Sequence, residues 1–150
     1  KNFGLLDRHL GVMIPLVAFN APMMLLMIKN YFDTIPDELL ESARIDGASS
    51  FCIWLEFMVP LSGPIIANVL VLTFIYSWND YLVPLLVMRS EENYTVTLAA
   101  QYFVSSTYQS PADVARIYAV MMLLTLPSII VYLFSQKFLV GGITSGSVKG

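Results

Sequence analysis

Three long apolar runs alternate with two polar stretches along this chain. Residues 10–28 carry no formal charge. Residues 57–79 carry none either, and past Asp80 that run continues to residue 88; residues 117–136 form the third. A helix needs about 20 apolar residues to cross a hydrocarbon core of about 30 Å. Arg8, Lys29, Glu56, Arg89, Arg116 and Lys137 stand at the flanks, so each run stops where charge begins. None of the runs has the polar outer face that a helix of a soluble bundle shows to water. The pattern predicts an all-α, polytopic transmembrane helical bundle with spans at about 10–28, 57–88 and 117–136. Pro15, Pro22, Pro60, Pro64, Pro84 and Pro127 interrupt these spans. Spanning helices tolerate proline when neighbours re-satisfy the freed backbone groups, so simple kinking is the expectation.

The two connections differ. Residues 30–56 read as two short helices meeting at a turn. Thr34 and Asp37 fit a capping box around a start at Pro36, and Asp37 and Glu38 suit the positive end of the helix dipole. Gly47 can take positive φ and end that helix, after which a serine can cap the next. Phe51, Trp54, Leu55 and Met58 then fall at i, i+3, i+4 and i+7, a single helical face. Residues 89–116 are polar and rich in Ser, Thr, Tyr and Gln, with a short helix expected over 98–104. Ser110 and Pro111 provide an N-cap and an N1 proline for the third span. The tail, residues 139–150, holds four glycines and is expected to be flexible when alone.

Composition supports a membrane setting. Of 150 residues, 57% are hydrophobic and 13% charged, with a mean hydropathy of +0.69. Soluble domains carry about 25% charge. A net charge of −3 gives nucleic-acid binding no electrostatic support. Cys52 and His9 are the sole residues of their kinds, so no intrachain disulfide or thiolate cluster forms and no His-based metal site is expected. The eight methionines read as lipid-facing or core filler. No Walker-type phosphate loop is present, so this chain is not expected to hydrolyse ATP or to be an enzyme. With three spans, residues 30–56 and the tail share one side. The basic residues divide evenly: Lys29, Arg44, Lys137 and Lys149 there, Lys1, Arg8, Arg89 and Arg116 on the other. The positive-inside rule therefore leaves orientation open. The start at Lys1, without a signal-like segment, is consistent with the C-terminal part of a longer membrane protein.

The stretch from Glu41 to Pro60 resembles the EAA loop of ABC importers, the element that couples a permease to its ATPase. That pattern is Glu-Ala-Ala, three residues, Gly, nine residues, Ile, one residue, Leu-Pro. Glu41, Ala43, Gly47 and Pro60 match it in spacing, while Ser42, Phe57 and Val59 are small-for-small or apolar-for-apolar replacements. Ile45-Asp46-Gly47-Ala48-Ser49 is similar to the version in sugar-importing members. Trp78-Asn79-Asp80 and the end of the chain, residues 142–150, resemble the maltose-type subgroup. The resemblance implies the C-terminal half of a permease subunit of about six spans in a prokaryotic inner membrane. It implies a second permease subunit, two cytoplasmic ATPase subunits that hold ATP and Mg, an extracytoplasmic solute-binding protein, and surrounding lipid. Residues 30–56 and the tail would be cytoplasmic, and residues 89–116 external. The cargo would be a sugar or oligosaccharide; an importer of a non-sugar solute is the alternative, since the EAA pattern is shared.

Each candidate residue has a plain reading beside this one. Glu41 either pairs with Arg44 on its own helix or, as the resemblance implies, meets a basic residue of the ATPase. The face of Phe51, Trp54, Leu55 and Met58 either packs back on the spans or fills an ATPase groove. The resemblance places Ala43, Asp46, Gly47 and Pro60 with them in the coupling element. It also suggests that Thr144, Ser145, Gly146 and Lys149 form a second ATPase contact. Asp80 is a carboxylate at membrane depth, a functional-site hypothesis by default. Against that, Trp78 and Tyr81 favour the membrane interface, and Asn79 can bond between helices. Trp78, Asn79, Asp80 and Tyr81 are the pathway or gate candidates.

Overall fold

The computed structural model describes residues 4–107, 111 and 113–144, with side chains through residue 136. Among the described residues the elements are all helical. The first apolar run forms α1, His9–Phe32. Its 24 residues extend about 36 Å at 1.5 Å per residue, enough to cross a bilayer core. The third run forms α8, Asp113–Thr144, a 32-residue helix with Pro127 inside it. Pro15 and Pro22 in α1 and Pro127 in α8 each remove one backbone bond without ending the helix. α8 also carries helical structure into the expected tail as far as Thr144, while Ser145, Gly146 and Lys149 lie outside the described residues.

The second run differs from a single span over 57–88. It is divided among α4, Val59–Leu61, α5, Gly63–Asn79, and α6, Leu82–Val87. Each break has a local cause. A proline ring collides with the carbonyl four residues earlier in a continuous helix. For Pro84 that residue is Asp80, where α5 gives way; for Pro60 it is Glu56, which lies in a π-helical turn, Trp54–Met58. The wider turn lets Val59 N–H reach the Trp54 carbonyl and leaves room for the ring. At Ser62 the hydroxyl donates back to the Met58 carbonyl at 2.5 Å, a bond that bends helices. The segments Ser50–Leu61 and Gly63–Asn79 are accordingly bent by 63°.

Contacts group the described residues into two units, one within Lys1–Ala21 and Thr73–Leu133, the other within Pro22–Leu72 and Phe134–Gly150. The first has a small core of Val12, Met88 and Leu98, with Leu16, Val83, Val87 and Tyr94 packed on it. It also contains the polar connection, whose short helix is longer than expected: α7, Val96–Thr107. In the second unit Met24, Ala43, Ile53, Ile65 and Val71 are buried. There the Tyr31 hydroxyl donates to the Leu61 carbonyl at 2.8 Å, tying the end of α1 to the end of α4. Much apolar surface stays uncovered. Of the most apolar stretches of α1 and α8, 17% and 6% are buried, and Phe19, Met122 and Phe134 are mostly exposed. Such surface calls for lipid or further helices, not water.

Candidate functional site

The connection after α1 is built from local signals. α2 spans Asp37–Ile45, with Pro36 at its N-cap and Asp37 and Glu38 in its first turn. The expected capping box does not form. The Thr34 hydroxyl instead donates to the Tyr31 carbonyl at 2.7 Å, three residues back. At the other end the helix closes in a Schellman motif. Gly47 N–H donates to the Arg44 carbonyl and Ala48 N–H to the Ala43 carbonyl, both at 3.0 Å. Gly47 has φ +86°, and a Cβ there would meet nothing within 4 Å. Its backbone conformation, not crowding, is what requires glycine.

The next helix, α3, Ser50–Ile53, starts at Ser49, whose hydroxyl accepts from Cys52 N–H at 3.2 Å. Ser49→Ala is expected to cost about 1 kcal/mol at this cap. Hydrogen exchange at the Cys52 amide should speed up accordingly, while Ser49→Asp should keep the protection. A hydrogen bond from the Cys52 thiol to the Glu56 carboxylate pushes the thiol's pKa up. It stays neutral at physiological pH and is a poor nucleophile.

Ala43 and Ile53 turn inward, while Phe51 and Trp54 turn outward at 69% and 50% exposure with ring centroids 5.9 Å apart. Leu55 and Ile45 are exposed too, and Met58 is half-buried. Glu41, Arg44 and Asp46 are all exposed, and among the described residues neither Glu41 nor Arg44 has an ion pair. The loop thus presents free charge on α2 and a bare aromatic pair on α3 and its π turn. Pro60 follows in α4.

The second group of candidates sits where α5 ends. Trp78 stacks on Phe74, with centroids 5.6 Å apart. Its indole N–H donates to the Leu124 carbonyl of α8 at 3.0 Å, and its own carbonyl accepts from the Thr97 hydroxyl of α7. Trp78 therefore ties three helices together within this unit. The Asn79 side-chain amide bonds the Ile75 carbonyl of its own helix at 2.8 Å. One Asp80 carboxylate oxygen is buried without a partner among the described residues, and Tyr81 is partly exposed.

Sequence reasoning missed three polar groups. Tyr31 was one, because its partner lies 30 residues on. Asn68 of α5 is buried with its side-chain oxygen unpartnered among the described residues. Asp7 is the third. Its carboxylate accepts from the Arg89 and Ser90 N–H groups, each at 2.9 Å, and from the Ser90 hydroxyl at 2.6 Å. Those bonds, the Ser90 hydroxyl first, hold its pKa well below the usual carboxylate range. Glu91, which opens a 3₁₀ turn at Glu91–Asn93, and Tyr94, Ala99, Tyr102, Phe103 and Ser106 beyond it line an open cleft of about 340 Å³. The bond between Tyr94 and Tyr102, with some burial, pushes the Tyr94 pKa up to about 12. No group of residues suited to a metal ion occurs among the described residues.

Residues 5–145 match the family described as binding-protein-dependent transport system inner membrane component. The chain is 33% identical over 148 residues to the inner membrane ABC transporter permease protein YcjP of Escherichia coli, covering 98% of the chain and 51% of the relative. It is 35% identical over 146 residues to the arabinooligosaccharides transport system permease protein AraQ of Bacillus subtilis, covering 97% and 50%. It is 37% identical over 142 residues to the sn-glycerol-3-phosphate transport system permease protein UgpE of Yersinia pestis, covering 95% and 50%. The chain spans about half the length of the curated relatives it matches. With its long apolar helices and the EAA-like loop held between them, it belongs to the binding-protein-dependent transport system inner membrane component family.

Proposed function

We propose that this chain is part of the permease subunit of an ABC importer and carries a sugar or oligosaccharide across the inner membrane by alternating access. The observation that carries this reading is the loop between α1 and α5: a Schellman turn flanked by exposed Glu41, without an ion pair among the described residues, and the bare Phe51–Trp54 pair. A large exposed aromatic pair on an amphipathic helix face is the anatomy of a surface waiting for a groove. The groove belongs to a cytoplasmic ATPase subunit, and ATP and Mg are held there. Glu41 meets a basic group of that subunit, Asp46 and Gly47 set the angle between α2 and α3, and buried Ala43 seats α2. The loop moves when the ATPases close on nucleotide. The bend at Ser62 and the Tyr31 bond to Leu61 pass that motion to the spans. Only contacts that differ between the two states can shift the equilibrium.

A second permease subunit completes the pathway, and a solute-binding protein delivers cargo to the side that bears residues 89–116. Asp80, whose buried oxygen has no partner among the described residues, and Tyr81 are the better pathway candidates. Trp78 and Asn79 are engaged by the fold and serve the gate structurally. Thr144 and the residues after it, with Ser145, Gly146 and Lys149, add the tail contact.

The sugar assignment draws support from the arabinooligosaccharide relative. The sn-glycerol-3-phosphate relative, at 37% identity, favours a second reading in which the cargo is a small non-sugar solute. Affinity purification of the full-length subunit tests the class, with co-purification of an ATPase and a second permease expected. Uptake of labelled mono- and oligosaccharides against labelled glycerol phosphate and amino acids tests the cargo. Uptake of glycerol phosphate alone would replace the sugar reading.

A further inference from the structure

Asp7 lies two residues before α1, with φ +59°. Few residues other than glycine adopt that conformation, and Asp is among those that tolerate it. Its polar groups are all engaged. Besides the three bonds to its carboxylate, its N–H donates to the Val87 carbonyl at 2.9 Å. Its carbonyl accepts from the Asn93 side-chain amide at 3.1 Å. The segment before α1 is packed just as closely: a Cβ on Gly11 would run into the Leu5 carbonyl oxygen and the Val87 side chain. Every partner of Asp7 lies between Val87, the last residue of α6, and Asn93, the last residue of the 3₁₀ turn; Glu91 of that turn and Tyr94 just after it wall the aromatic cleft.

We infer that Asp7 is a positioning residue: its bonds to Arg89, Ser90, Val87 and Asn93 hold the wall of the Tyr94–Tyr102 cleft in the geometry that receives the solute-binding protein. The inference rests on the importer reading for its partner, whereas the clamp rests on geometry alone. Charge-assisted bonds to two adjacent N–H groups and a hydroxyl fix an exposed connection that otherwise has only a small core beneath it. Asp7 spends its polar groups on this connection and lies outside the ATPase loop. Its loss should weaken docking and spare the catalytic rate.

The test uses the full transporter in nanodiscs, with ATPase activity titrated by liganded solute-binding protein. Asp7→Asn keeps the size and the tolerance of positive φ, but its neutral amide oxygen holds the Arg89 and Ser90 N–H groups without charge assistance, and the NH2 that replaces Oδ2 cannot accept from the Ser90 hydroxyl. It should raise the half-saturating concentration of binding protein about tenfold while leaving maximal and basal ATPase rates unchanged. Hydrogen exchange at the Arg89 and Ser90 amides should quicken in parallel. Ser90→Ala, which removes one of the three bonds, should give a smaller shift of about threefold and carries the same test if Asp7→Asn fails to assemble. Faster exchange with unchanged half-saturation would make Asp7 merely structural and overturn the inference. Unchanged exchange would overturn the clamp itself. A wild-type transporter that no binding protein stimulates would instead sink the importer reading, a failure visible before any variant is made.

Discussion

Gly47→Val in the full-length protein is expected to insert and assemble with its partners yet transport at background level, with ATP hydrolysis no longer linked to cargo. The physical reason is narrow. Gly47 holds φ +86°, where an L residue pays about 1–2 kcal/mol and a β-branched one more. The Schellman bonds from Gly47 and Ala48 hold only in that conformation, so their loss changes the angle between α2 and α3. Nothing lies within 4 Å of the missing Cβ. Gly47→Asn, which tolerates positive φ, should therefore retain most of the transport, and Gly47→Ala should fall between. Transport with membrane-inserted amounts measured alongside checks the series. Loss of transport in Gly47→Asn as complete as in Gly47→Val would mean that a partner, not the turn, demands glycine.

Phe51→Ala with Trp54→Ala is expected to release the ATPase while leaving the chain's own stability unchanged. Both rings are largely uncovered at 69% and 50% exposure, so their removal opens no cavity in this chain. Aromatic anchors at an interface contribute about 2 kcal/mol each or more, so the pair should weaken ATPase association by at least about two orders of magnitude. The contrast is Ile53, buried at 6% exposure between them in sequence. Ile53→Ala should lower thermal stability by about 2–4 kcal/mol, with a smaller effect on ATPase affinity in the fraction that folds. Co-purification and detergent-phase melting of the three variants separate the two effects. Equal ATPase recovery in the double variant would mean that the aromatic pair packs on lipid or on other spans.

Legibility in the sequence followed the range of the interactions. α1 and α8 were readable because length and uniform apolarity decide them residue by residue. Gly47 and a serine cap after it were readable because a Schellman turn and an N-cap involve neighbours within six positions; the structure selects Ser49. The second run was harder. Pro60 and Pro84 were in view, but whether a proline kinks or breaks a helix depends on where the clashing carbonyl can go. At Glu56 a π turn absorbs it, and at Asp80 the helix stops. Thr34 had two local choices, and bonding back to Tyr31 won over capping forward. Asp7, Trp78 and Tyr31 owe their roles to partners 19 to 86 residues away, which no periodicity announces. In the loop, spacing put Phe51, Trp54, Leu55 and Met58 on one face. The π turn at Trp54–Met58 alters that register, and Ile53, off the stripe, takes the buried position.

The proposed coupling is tested most directly by cross-linking from the loop to the ATPase. Phe51→Cys, in a Cys52→Ser background, would be placed in the assembled full-length transporter and treated with a short thiol-reactive cross-linker, with and without nucleotide. The account predicts a cross-link to the ATPase subunit, stronger in one nucleotide state than in the other, and no labelling of that cysteine by a reagent confined to the extracytoplasmic side. A residue 51 that is labelled from outside, or that reaches no ATPase in any nucleotide state, would contradict it.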